Sequence, residues 1–383
     1  MNKYQTLKEY SVVHITTAHQ LDDVRIYHRE AKLIAPYFKK VYVCASGTGN
    51  LDGVEFLSWG ENRPISRKER IKSVTGVIAR IKDLKPDIIH FHDPEFLLSI
   101  KQLRNIGEKI VYDIHEYYSG TLYENSGGGV KGFLAKKLYE YYEWRAMKLI
   151  DGIVTVTPQL VQNYEKFNKP IALLRNFPDS QKIIQKLLNS KIDISKHKLL
   201  YSGSLEQKSL YPLADAIKNL ESKYSDLTVT LIGDFKDQTE KEKIFSYWKN
   251  AGVFNKLNHI GRMSRENFIN SLKEYSLGLV LFWPTLNAQV ALPNKLFEYM
   301  SASLPVIVPD LPNQREVVKK YKCGAICNTS DALSIAKAID EILSVEDEAV
   351  KMGLRGRESC LKEYNAEKEI FNLLDLYLEL LKK

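Results

Sequence analysis

Residues 291–300 read Ala291-Leu292-Pro293-Asn294-Lys295-Leu296-Phe297-Glu298-Tyr299-Met300, and the apolar run Pro305-Val306-Ile307-Val308 follows closely. Proline suits the first position of a helix, because the N–H that it lacks has no intrahelical partner there. The segment therefore predicts a helix that starts at Pro293, carries the carboxylate of Glu298 and leads into a buried strand.

Two interpretations of this helix are open. In the first, its N-terminal amides and the positive end of its dipole hold a diphosphate, and Glu298 accepts hydrogen bonds from ribose hydroxyls. In the second, it is an ordinary amphipathic helix that packs through Leu296, Phe297 and Met300 and turns Glu298 toward solvent. Because the motif fits both, evidence from the rest of the chain is needed.

The length and composition favour two domains. A chain of 383 residues is too long for one ordinary core, and a hydrophobic content of 44% can fill two. No apolar run approaches the about 20 residues that span a bilayer, and the N-terminus carries Lys3 and Glu9 in place of the apolar centre of a signal peptide. We therefore expect a cytoplasmic location, with the inner face of the cytoplasmic membrane as the alternative.

The net charge indicates the class of binding partner, and the cysteines indicate the redox state of the thiols and whether zinc is bound. The formal charge of +8 favours anionic partners such as nucleotide phosphates, lipid phosphates or a membrane surface, and no motif supports nucleic acid. The four cysteines are scattered, and Cys323 and Cys327 lack a second cysteine or histidine pair that would complete a zinc site. The sequence thus predicts reduced, buried thiols.

Short β-branched runs alternate with helical periodicity along the chain, which predicts parallel sheets with crossover helices. The predicted strands are 12–17, 41–45, 88–91, 110–113 and 153–156, then 199–202, 227–232, 277–282 and 305–308. A polar, lysine-rich stretch separates the two sets. We predict a first domain over 1–176, a linker over 177–196, a second domain over 197–360 and a C-terminal helix within 361–383 that buries an apolar face.

Several motifs occur in a fixed order. These are His14-Ile15-Thr16-Thr17-Ala18-His19, the segment 23–31 (DVRIYHREA), the segment 87–95 (DIIHFHDPE), Val111-Tyr112-Asp113-Ile114-His115-Glu116 and the 291–300 segment. In this order they resemble the GT-B glycosyltransferases, and specifically the large family numbered four, over nearly the whole chain. The resemblance implies an α/β fold of two Rossmann-like domains facing a cleft, with the acceptor in the first, the donor in the second and the final helix crossing back to the N-terminal domain.

The strand-end motifs supply the expected first-domain site. Open α/β sheets place their ligands at the carboxyl ends of parallel strands, where His92, Asp93 and His115 are expected to contact hydroxyls of the transferred sugar or the acceptor. The resemblance adds Thr17, His19, Arg25 and Glu116 on the acceptor side. For each histidine the alternative is a structural hydrogen bond, which we favour for His90 and leave open for His115.

The resemblance also implies a donor nucleotide-sugar site in the second domain. Its predicted residues are Gly203, Ser204, Lys208, Ala291, Leu292, Asn294, Lys295 and Glu298. The sequence departs from the family pattern at two places: Ser204 and Ser209 stand where basic residues are common, and Val290 replaces the first of two glutamates. Lys208 or Lys295 should then compensate the diphosphate charge, although a lysine on a helix surface is usually just solvated.

The activity that the resemblance implies is retaining, metal-independent hexosyl transfer. The donor is a nucleotide-diphosphate sugar, which serves as substrate, and no cofactor is expected. The acceptor is a hydroxyl of a glycan or lipid-linked molecule, in the synthesis of a bacterial capsule, O-antigen or related surface polysaccharide. Two alternatives follow from the same architecture: a nucleotide-sugar 2-epimerase, and a degenerate partner that binds without turnover.

Two basic segments raise the question of a membrane contact. Between Arg63 and Lys85 eight basic residues oppose two acidic ones, and the apolar residues fall on one helical face. The alternative is a crossover helix that packs on the sheet with its lysines in water. A second basic segment follows three glycines at 127–129. Its lysines and tyrosines are Lys131, Lys136, Lys137, Tyr139, Tyr141 and Tyr142. The glycines suggest a mobile loop near the acceptor, while the tyrosines also suit a core.

Overall fold

The structure is a computed structural model that describes residues 3–64, 66–188, 190 and 192–382. The chain divides into two compact units, the first formed by Met1–Asn176 with Ala366–Lys383 and the second by Phe177–Asn365. Each unit is built on one parallel sheet with helices on its faces, which confirms the predicted fold class.

The first unit contains a seven-stranded parallel sheet in the order β3-β2-β1-β4-β5-β6-β7. Its strands are β1 Ser11–Gln20, β2 Lys40–Ser46, β3 Glu55–Gly60, β4 Ile88–Phe91, β5 Lys109–Ile114, β6 Gly152–Thr155 and β7 Ile171–Leu173. The α-helices are α1 Lys32–Ile34, α2 Arg67–Ile81, α3 Ile100–Arg104, α4 Tyr118–Asn125, α5 Gly129–Met147 and α6 Pro158–Tyr164, and a π-helix covers Val24–Ala31. Central strands such as β4 are buried on both faces, which is why they read as unbroken apolar runs.

The second unit contains a six-stranded parallel sheet in the order β10-β9-β8-β11-β12-β13. Its strands are β8 Lys198–Ser202, β9 Thr228–Ile232, β10 Leu257–His259, β11 Leu277–Leu279, β12 Val306–Pro309 and β13 Gly324–Cys327. Its helices are α7 Ser180–Lys186, α8 Gln207–Leu220, α9 Gln238–Asn250, α10 Arg265–Ser271, α11 Leu286–Val290, α12 Asn294–Ser301, α13 Pro312–Tyr321, α14 Ala332–Leu343 and α15 Glu346–Lys362.

The segment predicted as a linker is largely folded into the second unit. Phe177 is fully buried, and its ring packs 4.6 Å from that of Phe297 and 5.0 Å from that of Tyr364. Residues 180–186 form α7, which buries Ile183 and Ile184 beneath a lysine-rich surface. The high polarity of the segment therefore concealed a short amphipathic helix, while positions 189 and 191 lie outside the described residues.

The last helix, α16, spans Ala366–Leu381 and packs in the first unit, as predicted. Its apolar side joins the core that Val12, Val111 and Val154 form on one face of the first sheet. Leu380 approaches so closely that a Cβ on Gly152 would lie 2.8 Å from its Cδ1 atom. The side chain of Glu369 also binds Arg175, with 2.6 Å between Oε1 and Nη2.

The cysteines match the expectation of buried thiols, and the helices can be compared with the length of a membrane span. Cys44, Cys323, Cys327 and Cys360 are free and buried, and burial raises the pKa of each thiol to about 12. Among the described residues, no helix combines the length and apolar character needed to cross a membrane.

Candidate active site

Three glycines follow neighbouring strands at the carboxyl edge of the second sheet. Gly203, Gly233 and Gly261 come after β8, β9 and β10 and have φ angles of +134°, +149° and +83°. A Cβ on Gly233 would lie 1.9 Å from the carbonyl oxygen of Gly203, so the two backbones are in contact. This edge therefore has bare backbone where other residues would place side chains, and a ligand can approach the main chain closely.

The loop after Gly203 explains one departure from the family pattern. Ser209 is buried, and its hydroxyl donates to the carbonyl of Leu281 at 2.7 Å, so it serves the core. Ser204 is exposed, while its carbonyl accepts a hydrogen bond from Tyr201 at 3.1 Å. Lys208 is an exposed cation in the first turn of α8, with its ammonium 5.8 Å from the ring centre of Trp283. Lys208 is thus an exposed basic residue of this loop, and its role toward a phosphate stays a prediction.

Helix α12 begins one residue later than predicted. Pro293 has a ψ of 139° and occupies the N-cap, and Asn294 is the first helical residue. Leu296, Phe297 and Met300 are fully buried, as the packing interpretation required. The N-terminal amides give this end of the helix a partial positive charge at the edge of the same sheet.

Glu298 does not lie on a solvated face of α12. The residue is 1% exposed, and its Oε1 lies 2.8 Å from Nη1 of Arg265 on α10. Its Oε2 lies 3.0 Å from the ammonium of Lys295, which also sits 4.1 Å above the ring of Phe268. The carboxylate is therefore buried between two cations that are themselves about one-third exposed.

A hydrogen bond fixes α12 against the glycine edge. The hydroxyls of Tyr299 and Ser202, the last residue of β8, are 2.6 Å apart. Tyr299 fits because β11 carries Gly278, where a Cβ would lie 2.3 Å from the tyrosine ring. Burial raises the pKa of Tyr299, so the neutral phenol is maintained as a hydrogen-bonding group. The end of β8, which leads into Gly203, is thus hydrogen-bonded to α12.

The segment before α12 is held by α13. Asn313 donates from Nδ2 to the carbonyl of Val290 at 3.1 Å and to that of Ala291 at 3.5 Å. Leu292 is half-buried beside these residues. Within the described chain, Gln314 is fully buried and neither of its side-chain amide atoms has a hydrogen-bond partner. The backbone at Val290 and Ala291 is therefore held by Asn313 of α13. The side chain of Val290 supplies no carboxylate there.

The first unit gathers its polar strand-end residues on one face of the sheet. Asp113 on β5 is the centre of this group and is fully buried. It binds Arg25 through two contacts of 2.8 Å, and its Oδ2 lies 3.1 Å from Nδ1 of His92 and 3.0 Å from Nε2 of His115. Burial opposes the charge of Asp113, but Arg25 and His115 outweigh that effect and hold its pKa well below the ordinary value.

Three buried histidines stack behind Asp113. The rings of His90 and His92 lie 4.7 Å apart, and those of His14 and His90 4.6 Å apart. His90 also has Nδ1 2.6 Å from the hydroxyl of Tyr377 on α16, the structural hydrogen bond favoured from the sequence. Burial lowers the pKa of His92 to about 4 and those of His14 and His90 well below 6.5, so all three rings are neutral at pH 7.

Several residues predicted to touch substrate have structural partners. His92 is fully buried with both ring nitrogens in contact, the second 3.1 Å from His14. Asp93 is 1% exposed and accepts from the Thr16 hydroxyl and the Thr17 amide, both at 2.7 Å. Arg25 is buried against Asp113, and Thr17 is buried beside Asp93. These four residues therefore have partners within the first unit, and the contact of His92 and Asp93 with sugar or acceptor hydroxyls stays a prediction.

His19, His115 and Glu116 are the predicted first-unit residues with partly accessible side chains. The rings of His19 and His115 lie 6.0 Å apart. Burial disfavours a charge on His19, but its 2.7 Å hydrogen bond to Asp23 outweighs this effect and raises its pKa. Burial raises the pKa of Glu116. This part of the unit can therefore offer donors and acceptors to a hydroxylated ligand.

Among the residues that the structure describes, two groups of side chains have ligand atoms close enough to share a metal ion. One comprises His92, Asp113 and His115, and the other comprises His14, Glu30, His90 and His92. In the first group Arg25 already binds both oxygens of Asp113, and in the second its Nε lies 3.0 Å from Glu30. A metal ion at either place would lie beside this guanidinium, so both groups suit a hydrogen-bonded network better.

Sequence reasoning missed Asp113 and Arg265 as site residues. His115 follows Asp113 by two positions, one residue beyond the end of β5, and His92 follows His90 in the same way at the end of β4, a spacing that favours one face of the sheet for each pair. The signal for Asp113 was therefore present. Arg265 is 33 positions from Glu298 on another helix, so no local pattern could connect them.

The two parallel-sheet units, with a glycine-lined edge and a charged helix start in the second, define the chain as a GT-B protein. Residues 185–359 match the family model for glycosyl transferases group 1, and residues 39–182 match the model for glycosyltransferase family 4. The chain therefore belongs to the group 1, family 4-like glycosyltransferases.

Three individual proteins resemble the chain at low sequence identity. EpsD of Bacillus subtilis (strain 168), named as a glycosyltransferase, is 21% identical over 92% of this chain and 93% of its own length. Sucrose-phosphate synthase from Thermosynechococcus elongatus has a similar structure, with a TM-score of 0.75, 15% identity and coverage of 98% of this chain and 100% of that one. HepE of Anabaena, solved with UDP and glucose, has a TM-score of 0.70, 10% identity and coverage of 97% and 100%.

Proposed function

We propose that this protein is a retaining glycosyltransferase that moves a hexose from a nucleotide-diphosphate sugar to a hydroxyl of a glycan or lipid-linked acceptor. The observation that carries the proposal is Glu298, buried between Arg265 and Lys295 in a helix that is bonded to the glycine edge through Tyr299 and Ser202. A buried carboxylate beside a positively charged helix end matches the two parts of a nucleotide, which are ribose hydroxyls and phosphates.

The donor would be held by separate groups in the second unit. The first turn of α12 and the lysines Lys208 and Lys295 face the diphosphate, while Glu298 accepts from ribose hydroxyls. Ala291 and Leu292 present backbone to the sugar, at the place where Val290 supplies no side-chain acceptor. The bare glycine edge at Gly203 allows the phosphates to approach the main chain.

The chemistry then depends on positioning and electrostatics. As the bond from the anomeric carbon to the diphosphate breaks, negative charge grows on the leaving oxygen, and the amides and lysines stabilise it. The leaving diphosphate takes the proton of the attacking hydroxyl on the same face of the sugar, which gives retention of configuration. His115, whose Nε2–H donates to Asp113, accepts a hydrogen bond at Nδ1 from a sugar hydroxyl.

Metal independence is part of the proposal. Two lysines and a helix N-terminus supply positive charge without an ion. We expect transfer to continue in excess EDTA, and proton NMR of the first-formed product should show the anomeric configuration of the donor. Activity that EDTA abolishes and one divalent ion restores would reject metal independence, and an inverted product would reject the retaining mechanism.

A binding protein without turnover is the second candidate, because Val290 and the core-bound Ser209 stand where family members carry charged residues. The two candidates differ in a direct test. The transferase releases nucleoside diphosphate from its donor when an acceptor is present, and Glu298→Ala abolishes this release. The binding protein takes up the same donor, and Glu298→Ala weakens binding, but no acceptor yields product.

A bacterial surface polysaccharide, made at the inner face of the cytoplasmic membrane, is the setting we propose. Similarity to EpsD supports the glycosyltransferase part, and the net charge of +8 supports contact with anionic lipid. A lipid-linked acceptor would hold the substrate at that surface. Transfer to acceptor in membrane extracts, compared with transfer to the same glycan without its lipid, tests this setting.

A further inference from the structure

Helix α5 is apolar on both of its faces. Its inner face buries Tyr139, Ala146 and Met147 against the first unit. Its outer face exposes large apolar side chains, including Val130 at 76%, Leu134 at 61% and Phe133 at 53% exposure. A helix on the surface of a soluble domain normally buries one apolar stripe and turns polar residues outward. The outer face of α5 therefore has the composition of a surface that contacts something apolar.

The exposed residues of α5 form one continuous band. Eleven residues from Val130 to Lys148 are exposed: Val130, Lys131, Phe133, Leu134, Lys137, Leu138, Tyr141, Tyr142, Trp144, Arg145 and Lys148. At about 100° per residue they cover roughly half of the helix circumference, and we call them the exposed arc. Seven are apolar or aromatic, four are Lys or Arg, and none is acidic. Of the acidic residues on α5, Glu143 is buried and Glu140 is half-buried.

The cations of the exposed arc lie beside its rings. The ammonium of Lys148 is 3.9 Å from the ring centre of Trp144, and that of Lys137 is 5.7 Å from the ring of Phe133. The guanidinium of Arg145 is 5.9 Å from the ring of Tyr141. Paired aromatic rings and basic groups suit the boundary of a bilayer, where the ring enters the acyl region and the cation reaches a phosphate.

Two hollows open beside the arc. One has a volume of about 250 Å³ and is lined by Leu98, Leu122 and Leu138, and the other has about 490 Å³ and is lined by Leu98, Trp144 and Lys148. Leu98 contributes to both and is 60% exposed. The apolar surface therefore continues from α5 onto the 3-10 turn Pro94–Ser99 and includes both depressions.

We propose that the exposed arc is the membrane-contact surface of this protein and lies on an anionic bilayer leaflet, with acyl chains entering the two hollows. The inference deepens the membrane contact proposed above by naming the surface. On α2, where a membrane contact and a crossover helix were both open, Val74, Val77 and Ile81 are buried, as the crossover helix requires, and Ile71 is a large apolar residue left exposed.

The charge of the arc favours lipid over a second copy of this chain. A two-fold interface would bring the same patch together from both copies, and thus four cations against four with no acidic residue between them. An anionic leaflet offers phosphates to the same cations, and each basic residue near the surface adds to the attraction.

Vesicle sedimentation of the full chain tests the proposal. We expect the protein to pellet with vesicles of phosphatidylcholine and phosphatidylglycerol in equal parts, and to remain in solution with phosphatidylcholine alone. Phe133→Ser/Leu138→Ser should reduce binding roughly 10-fold or more, since two exposed side chains lose their burial in lipid. The matched control is Leu333→Ser/Leu354→Ser, which changes two apolar residues of the second unit that are 68% and 52% exposed and should bind like wild type.

Trp144 gives a second measurement, made on the wild-type chain. The tryptophan fluorescence of the protein should shift to the blue with anionic vesicles and be quenched by brominated acyl chains, and Trp144→Phe, which keeps an aromatic ring at this position and the other three tryptophans, should remove both changes. Equal binding of the arc variant and the control, or an unquenched Trp144 in a pelleted protein, would overturn the proposal. So would a concentration-dependent dimer that the arc variant abolishes, with no vesicle binding. Glu298→Ala should pellet normally, so failure of the donor site and failure of this surface are distinguishable.

Discussion

The guanidinium of Arg265 lies 2.8 Å from the carboxylate of Glu298, and the ammonium of Lys295 reaches the other carboxylate oxygen at 3.0 Å. Removal of a carboxylate from water costs several kcal/mol, which these two cations offset. Because both cations are partly exposed, a ligand can take over their contacts. In the proposed donor site, binding of the donor and the stability of this ion pair would therefore depend on the same three side chains.

Arg265→Gln should lower the free energy of unfolding by about 1–3 kcal/mol, because Glu298 keeps its charge and loses one partner. Urea denaturation measures the loss, and Arg265→Gln/Glu298→Gln should recover part of it. The control is Arg315→Gln, whose 2.7 Å pair with Asp310 is exposed and should contribute less than about 1 kcal/mol. Equal losses in the two single variants would show that the Glu298 pair has no special role in stability.

Gly233→Ala should be far more destabilising than Gly261→Ala. Both residues have positive φ angles, but a Cβ at Gly233 would lie 1.9 Å from the Gly203 carbonyl oxygen, whereas nothing lies within 4 Å of one at Gly261. We expect about 1–2 kcal/mol of backbone strain for Gly261→Ala, and a larger loss or an insoluble protein for Gly233→Ala. Thermal unfolding measures the stability of the two variants. Similar melting temperatures would contradict the close backbone contact between Gly203 and Gly233.

His115→Asn should reduce turnover by roughly 100-fold while donor affinity changes little, since the side chain is assigned to a sugar hydroxyl in transfer. Initial rates and donor titration separate the two effects. His197→Asn is the control, because His197 pairs with Asp226 at the surface of the second unit and its φ of +47° is tolerated by asparagine. If the two variants had equal rates, His115 would have no part in the reaction.

Acid should destabilise the fold through the buried histidines. The pKa of His92 is about 4 in the folded chain and near 6.5 in the unfolded chain, so its contribution is complete above pH 6.5 and is lost as pH falls toward 4. The free energy of unfolding, measured by urea denaturation between pH 4.5 and 6.5, should rise with pH more steeply in wild type than in His92→Gln. The difference in slope should correspond to about one proton taken up on unfolding. Parallel slopes would mean that His92 titrates alike in both states.

The alternation of strands and helices was sufficient to predict two α/β units, because fully buried parallel strands are continuous apolar runs. Strands β3, β7, β10 and β13 were missed: β3 is only half-buried, and the other three are three or four residues long at or near sheet edges. Helix α7 was missed for a different reason, since its lysines hide two buried isoleucines. Short or partly solvated elements depend on tertiary packing, which local sequence does not encode.

The motifs located both strand-end regions but not the role of each residue. Asp93 and His92 stand at the expected strand end, yet their side chains turn inward to Thr16 and Asp113, and only the folded sheet fixes that direction. The alternative in which Glu298 faces solvent failed because Arg265 arrives from another helix. Partners far apart in sequence decide whether a polar residue supports the site or faces the ligand.

The most direct test of the central claim is a panel of nucleotide-diphosphate sugars, scored by the shift in melting temperature of wild type and Glu298→Ala. The account predicts that at least one donor raises the melting temperature of wild type and that this shift disappears in Glu298→Ala. Glu274→Ala, a change on the surface of the same unit, should keep the full shift. If no donor shifted wild type, or if Glu298→Ala responded equally, the nucleotide-sugar site proposed on α12 would be wrong.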